Sequence, residues 1–259
     1  MDDRIYREVW ALLDQLHPPK APLASWEKAP SEWVTEVDVA IEATLSPELE
    51  AILPGSRVVA EESSATGPPL PTDGAGPIWF VDPIDGTANF VSQNGAYATM
   101  VALFANGGVA GAWTIEWRTG DRLGYWAGLG VSLNGTAIER PAVARAGRGV
   151  LSKRYLPQAT GDRLDREIAK NFQVARNAGC AATDYRSLLI GEVDFLLYER
   201  TLPWDHAPGV AMVKSLGGFA LFGDGTAWIP EARPGLAVSF NLSVAQNLLG
   251  ARARAIAAS

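Results

Sequence analysis

Asp82 and Asp85 stand three residues apart in Asp82-Pro83-Ile84-Asp85-Gly86-Thr87, directly after the apolar run Ile78 to Val81. Proline fixes one φ and glycine permits a tight bend, so both carboxylates can point the same way. Converging hard oxygens are what magnesium takes: near-octahedral, it keeps several waters and needs only a few carboxylates beside a substrate phosphate. Two ions sharing Asp82 would suit such a turn. If a helical turn opens at Gly86 and Thr87, its N–H groups would face an anion held there. The same residues also describe a solvated bend closed by an Asx-type bond, but a buried strand running straight into the turn is less usual for one.

Other acids stand where they could join this pair. Glu61-Glu62 closes the short apolar run Arg57 to Ala60, so its carboxylates lie beside the Asp82 turn if the two strands are neighbours. Asp205, after Trp204, opens a helical pattern and could be a ligand or a simple N-cap. Asp38, three residues after Thr35, fits equally a first-turn acid that stabilises its own helix.

The elements that must position these residues follow from periodicity. Ile5, Val9, Leu12, Leu13 and Leu16 predict an amphipathic helix over residues 3–17, stopped by Pro18-Pro19. Val34, Val37, Ile41 and Leu45 predict a second, interrupted at Pro47 and closed by Pro54-Gly55. Ser, Gly and Pro dominate from Ser63 to Pro77, which predicts a loop. Three apolar stretches, 98–104, 109–117 and 123–126, are separated by the hairpin signals Asn106-Gly107-Gly108 and Thr119-Gly120-Asp121. Beyond about residue 140 the pattern becomes α/β: a strand at 172–175, a helix at 181–190, a strand at 193–198, then a helix from Asp205, as N-cap, to Leu216 with Pro208 in its first turn. Two tightly packed halves are expected, an α+β half over residues 1–140 carrying most candidate ligands and an α/β half over residues 141–259 carrying Asp205.

Composition narrows the chemistry. The 259 residues are 47% hydrophobic and 20% charged, without an apolar run long enough for a membrane helix. A net charge of −7 argues against a nucleic-acid partner, since that binding depends on basic residues neutralising phosphates. The acidic start, Met1-Asp2-Asp3, lacks a secretory pattern, so a cytoplasmic protein is expected. Cys180 alone cannot form an internal disulfide, and His17 and His206 are too few for a zinc cluster. Any metal must be held by oxygen, and an acidic protein acting on phosphate needs such a cation.

Together, Glu61-Glu62-Ser63, the run Trp79 to Phe90 around the Asp82 turn, and Trp204-Asp205-His206-Ala207-Pro208-Gly209 resemble the inositol monophosphatase family in order and spacing. The resemblance extends from about Lys28 to Gly218 and includes Val34-Thr35-Glu36-Val37-Asp38. It implies an α+β / α/β fold, the layered αβαβα sandwich of the inositol monophosphatase / fructose-1,6-bisphosphatase type. It implies two or three Mg2+ ions: one on Glu61, Asp82 and the carbonyl of Ile84, another on Asp82, Asp85 and Asp205, and a third, weaker one near Glu61. Gly86 and Thr87 would contact phosphate through their N–H groups, and Thr87 with Asp38 would orient and deprotonate the attacking water. Ala182, in the loop Gly179 to Ala182, and Glu199, matching the residue that binds substrate hydroxyls, lie on the substrate side. The segment Glu199 to Asp205 is one residue shorter than the usual pattern. A homodimer and lithium sensitivity are common in the family.

The function expected is hydrolysis of inositol monophosphate or a related sugar or polyol phosphate. A 3′(2′),5′-bisphosphate nucleotidase, a histidinol-phosphatase and a fructose-1,6-bisphosphatase are the alternatives, for which Lys153, Arg154 and Arg200 are candidate extra cations. A regulatory binding protein that keeps the fold is the third reading.

Overall fold

The computed structural model describes residues 3–17, 21–22, 24–29, 32–64, 76–142 and 147–258. Met1-Asp2, Pro18-Pro19 and most of the loop expected before Pro77 lie outside the described residues. Helix α1 (Asp3–Leu13) buries Ile5, Val9, Leu12 and Leu13 on one face and ends a turn before the periodicity does. Strands β1 (Ser25–Ala29) and β2 (Glu32–Thr35) pair antiparallel as a ribbon, so Val34 belongs to a strand and not to the second helix. Thr35 then caps α2 (Glu36–Ile52), which runs unbroken through Pro47. Proline there removes only the hydrogen bond to the Ala43 carbonyl, and both residues are exposed, so water replaces it.

The chain continues as β3 (Arg57–Ala60), β4 (Ile78–Asp85), α3 (Thr87–Ser92), β5 (Ala98–Ala105), β6 (Gly108–Glu116), β7 (Arg122–Trp126), β8 (Gly130–Leu133) and β9 (Thr136–Ala137). These strands form one seven-stranded sheet in sequence order, β3 parallel to β4 and every later pair antiparallel. The hairpin at Asn106-Gly107 has both residues at positive φ, as its tight turn requires. A further hairpin at Asn134-Gly135 joins β8 to β9.

Next come β10 (Arg148–Ser152), α4 (Gln158–Ile168), β11 (Gln173–Ala175), α5 (Ala181–Leu189), β12 (Phe195–Tyr198), α6 (Pro203–Ser215), β13 (Phe219–Phe222), β14 (Leu236–Ser239) and α7 (Leu242–Ala257). The second sheet has the order β11-β10-β12-β14-β13, its first three strands parallel and β14 antiparallel to its neighbours.

Burial sorts these elements into five layers. Helices α1 and α2 share a core with one face of the first sheet, through Leu45, Trp79, Trp113 and Trp126. Its other face shares a core with α5, α6 and the second sheet, through Phe80, Tyr185, Val210 and Leu196. The far face of the second sheet is covered by α4 and α7. The fold is thus the expected αβαβα sandwich. Strand β4 serves two layers by simple alternation: Trp79 and Val81 face α1 and α2, whereas Ile78 and Phe80 face the central helices. Helix α6 is buried on nearly every side, which a central-layer helix must be. No helix among the described residues is long and apolar enough to cross a membrane.

Candidate active site

Parallel pairing sets Ala60 beside Val81, and the Glu61 N–H still donates to the Val81 carbonyl at 3.1 Å. Glu61 therefore leaves its strand level with Asp82. Strand β4 does not stop at Val81 but continues to Asp85 through a bulge: Asp82 pairs with Met100 and Asp85 with Ala98, three steps against two. Pro83 has no N–H to lose from the ladder, and its carbonyl accepts from Thr99 Oγ1 at 2.7 Å. In a regular strand, residues three apart face opposite sides; the extra residue returns Asp82 and Asp85 to one side. Ile84 bears this out, joining Trp79 and Val81 in the core beneath α1 and α2. Gly86 follows at φ +85, where an added Cβ would lie 2.7 Å from the Ala96 carbonyl oxygen, so only glycine fits.

Asp205 comes from the central layer. It is not the N-cap of its helix: Leu202 holds that position, Pro203 opens α6, and Pro208 falls in the second turn. Its carboxylate, at the positive end of the helix dipole, is left for the cleft. One carboxylate oxygen from each of Glu61, Asp82 and Asp205 lies within 4.8 Å of the other two. Asp82 Oδ1 is buried and has no hydrogen-bond partner. Burial first, and then repulsion from Glu61 and Asp85, pushes Asp82 and Asp205 well above the usual carboxylate range. Burial also raises Asp85, opposed by the Ala182 N–H, which donates to its Oδ2 at 2.7 Å. The Cys180 thiol, itself pushed up by burial and so neutral, donates to the same oxygen at 3.1 Å. Ala182 thus positions Asp85 and does not line the cleft, whereas Gly86, Thr87 and Ile84 do.

Asp38 caps its helix with one oxygen and turns the other toward Thr87. Its Oδ2 accepts from the Thr35 N–H at 2.9 Å and from the Thr35 hydroxyl, closing a capping box. Its Oδ1 faces Thr87 Oγ1 at 3.4 Å, while that hydroxyl also lies 2.8 Å from the Ile84 carbonyl. One hydroxyl proton can serve only one of these acceptors at a time. Burial pushes Asp38 up to about 6 against the Thr35 hydrogen bonds.

Further residues from distant segments surround the acids. Lys28, on the ribbon, places Nζ 2.8 Å from Glu61 Oε1 and 3.0 Å from both Glu62 oxygens. Glu62 is pushed up to about 7 by burial and by Glu61, with Lys28 opposing. Asn89 donates through Nδ2 to the Ala96 and Ala178 carbonyls, both at 2.8 Å, and ties the Asp82 turn to the loop before α5. Arg176 borders the cleft beyond that loop. Glu199, by contrast, is not brought to the cleft. It is buried and paired with Arg252, whose Nε and Nη2 donate to its carboxylate at 2.8 to 3.0 Å. Both oxygens are engaged by Arg252, and Glu199 is not among the residues that border the cleft.

Among the described residues the donor set fits a hard divalent cation: three converging carboxylates, one of them with an orphaned buried oxygen, with Asp85 and Ile84 lining the same cleft. A model of the inositol monophosphatase family matches residues 7–257. The chain belongs to that family. It is 28% identical over 195 residues to the inositol-1-monophosphatase of Bacillus subtilis, covering 73% of this chain and 72% of the relative. It is 29% identical over 185 residues to the fructose-1,6-bisphosphatase/inositol-1-monophosphatase of Thermotoga maritima, 71% and 69% of the two chains. With the Nus factor SuhB of Escherichia coli it shares 27% over 206 residues, 77% and 75%. The solved structure of an IMPase from Thermotoga maritima superposes with a TM-score of 0.77 at 25% identity, covering 96% of this chain and 94% of that one. A structure of an IMPase/NADP phosphatase complexed with Mg2+ and phosphate has the same fold, with a TM-score of 0.76 at 20% identity and coverage of 96% and 90%.

Proposed function

We propose that this chain is a magnesium-dependent phosphatase of a small phosphate monoester of sugar or polyol size, with inositol monophosphate the first substrate to test. The observation that carries this reading is Asp82 Oδ1, buried without a partner among like-charged acids. Such an arrangement is costly unless a proton or a cation offsets it, and a divalent cation would offset several of these acids at once. Glu61, Asp82 and the Ile84 carbonyl would hold one ion, and Asp82, Asp85 and Asp205 a second. Bound there, the cations would offset charge on the phosphoryl oxygens and lower the pKa of water.

The remaining work falls to the chain's own groups. Thr87 chooses between the Ile84 carbonyl and Asp38 for its proton. When it donates to Asp38, its lone pairs are open to a water, which the hydroxyl holds in line for attack while Asp38 receives the proton charge. The N–H groups of Gly86 and Thr87 face the phosphate. Phosphoryl transfer needs little more than this positioning and charge stabilisation. A regulatory role draws on the name of the SuhB relatives; a site that pairs Thr87 with Asp38 beside the acids favours turnover.

Phosphate release from inositol 1-phosphate and glycerol 3-phosphate, with Mg2+ and with chelator, tests the proposal. Release that requires Mg2+ is expected. No release from any small monoester tested would overturn it.

A further inference from the structure

The hydrogen bonds to the Asp85 carboxylate come from the second half of the chain. Its Oδ2 accepts the Ala182 N–H at 2.7 Å and the Cys180 thiol at 3.1 Å, and the Ala181 N–H donates to the same carboxylate. All three donors lie where the loop 176–180 enters α5. Strand β4 brings Asp85 to the cleft; the loop then fixes its carboxylate by one oxygen and leaves the other for a cation. Partners of this kind, behind a ligand, govern how well the ligand is aimed.

The loop is held in turn by a residue of the acid half. Asn89, in α3, gives one amide hydrogen to the Ala96 carbonyl and the other to the Ala178 carbonyl, both at 2.8 Å, which uses its full donor capacity. The Ala178 peptide is gripped from both sides, because its N–H donates to Asp184 Oδ1 at 3.3 Å. Two glycines at positive φ make room for the amide: a Cβ on Gly95 would lie 2.6 Å from Asn89 Cγ, and one on Gly179 would lie 3.2 Å from Nδ2. Gly86 extends the contact, since a Cβ there would meet the Gly179 carbonyl oxygen and Cys180 Cβ, each at 3.2 Å. An apolar side chain would suffice to fill this space. Backbone brought close around one amide, with each of its hydrogens placed on a carbonyl, is instead a hydrogen-bonded clasp.

We propose that Asn89 is a positioning residue for the metal site: by holding the Ala178 carbonyl it keeps the loop donors on Asp85, and so sets how tightly the site holds its cation. This rests on the metal-dependent phosphatase reading. It gives a role in metal affinity to a side chain whose own hydrogen bonds go only to backbone carbonyls.

Mn2+, which takes the same oxygen ligands as Mg2+ and is paramagnetic, provides the probe. It is titrated into the native protein, Asn89→Ala, Asp85→Asn and the double variant, and the bound ion is read from loss of the free-ion resonance. Losing a partner behind a metal ligand costs roughly tenfold or more in metal affinity. Asn89→Ala should therefore weaken, by about tenfold, the site that Asp85→Asn weakens, and should add little in the Asp85→Asn background. Its phosphate release should fall at low Mg2+ and recover at high Mg2+. A merely structural Asn89 would instead lower the melting midpoint in chelator and leave the Mg2+ dependence unmoved, which overturns the proposal. Gly179→Ala, which presses a Cβ on Asn89 Nδ2 from the loop side, should shift the affinity in the same direction, and it carries the test if Asn89→Ala does not fold. Native affinity in both variants, or losses that add fully in the double variant, overturn the proposal and leave the phosphatase reading standing. Mn2+ binding without phosphate release overturns the phosphatase reading alone. A native protein that binds no Mn2+ overturns both.

Discussion

The two ends of the cleft place charge in opposite ways. At one end carboxylates are packed against each other, and Asp82 is buried with an oxygen that nothing satisfies. At the other, Arg154 and Arg176 reach into solvent on long side chains. The acids are placed by backbone devices: a bulge in β4, the ladder bond that carries Glu61 past β3, and the first turn of α6. The arginines are placed only by where their strands end. A buried like-charge cluster is specific about what it awaits, because few groups other than a divalent cation offset it. An exposed basic pair carries no such demand, because water already solvates it.

The comparison breaks most readily at Asp82. Asp82→Asn should lower phosphate release by about a thousandfold or more at saturating Mg2+, since it removes the shared ligand; a loss under about tenfold would separate the acid cluster from catalysis. Thr87→Ala should lower kcat by roughly a hundredfold with little change in KM, the pattern of an interaction made mainly in the transition state. A change confined to KM would make Thr87 a binding group. Glu199→Ala should destabilise the fold by about 2–4 kcal/mol in urea unfolding, because the part-buried Arg252 is left unpaired. Unchanged stability with a raised KM for inositol 1-phosphate would return Glu199 to the substrate.

A smaller test lies behind the acid end. Asp184 is pushed up to about 7, chiefly by burial, against the Ala178 N–H and Tyr198 hydroxyl that donate to it. The unfolded carboxyl titrates near 4, so between about pH 4 and 7 the native state binds a proton that the unfolded state has lost. On this group's account stability falls as pH rises through that window. Asp184→Asn should flatten the slope, and an unchanged slope would mean that the carboxyl ionises freely in place.

The acid end was legible in the sequence because its determinants are local. Pro83 and Gly86 announce an irregular backbone, and acids that close apolar strands announce a shared edge. The bulge itself was not, since period-two alternation places Asp82 and Asp85 on opposite faces until β5 supplies the register. Asp205 reads as a cap in Trp204-Asp205 with Pro208 three residues on, but Pro203 at the first helical position is the stronger start signal. Pro47 reads as a break where an exposed face tolerates it. The ribbon β1–β2, Lys28 and the pairing of Glu199 with Arg252 depend on contacts between distant segments that no periodicity encodes.

The central claim is that the buried acids are held together in order to bind a divalent cation. Its most direct test is the thermal midpoint of the native protein and of Asp82→Asn, each with and without Mg2+. Mg2+ should raise the native midpoint by mass action. Asp82→Asn should melt higher than the native protein in chelator, because a repelled buried charge is gone, and should gain little from Mg2+. A native midpoint indifferent to Mg2+, together with a variant that melts lower in chelator, would contradict the claim.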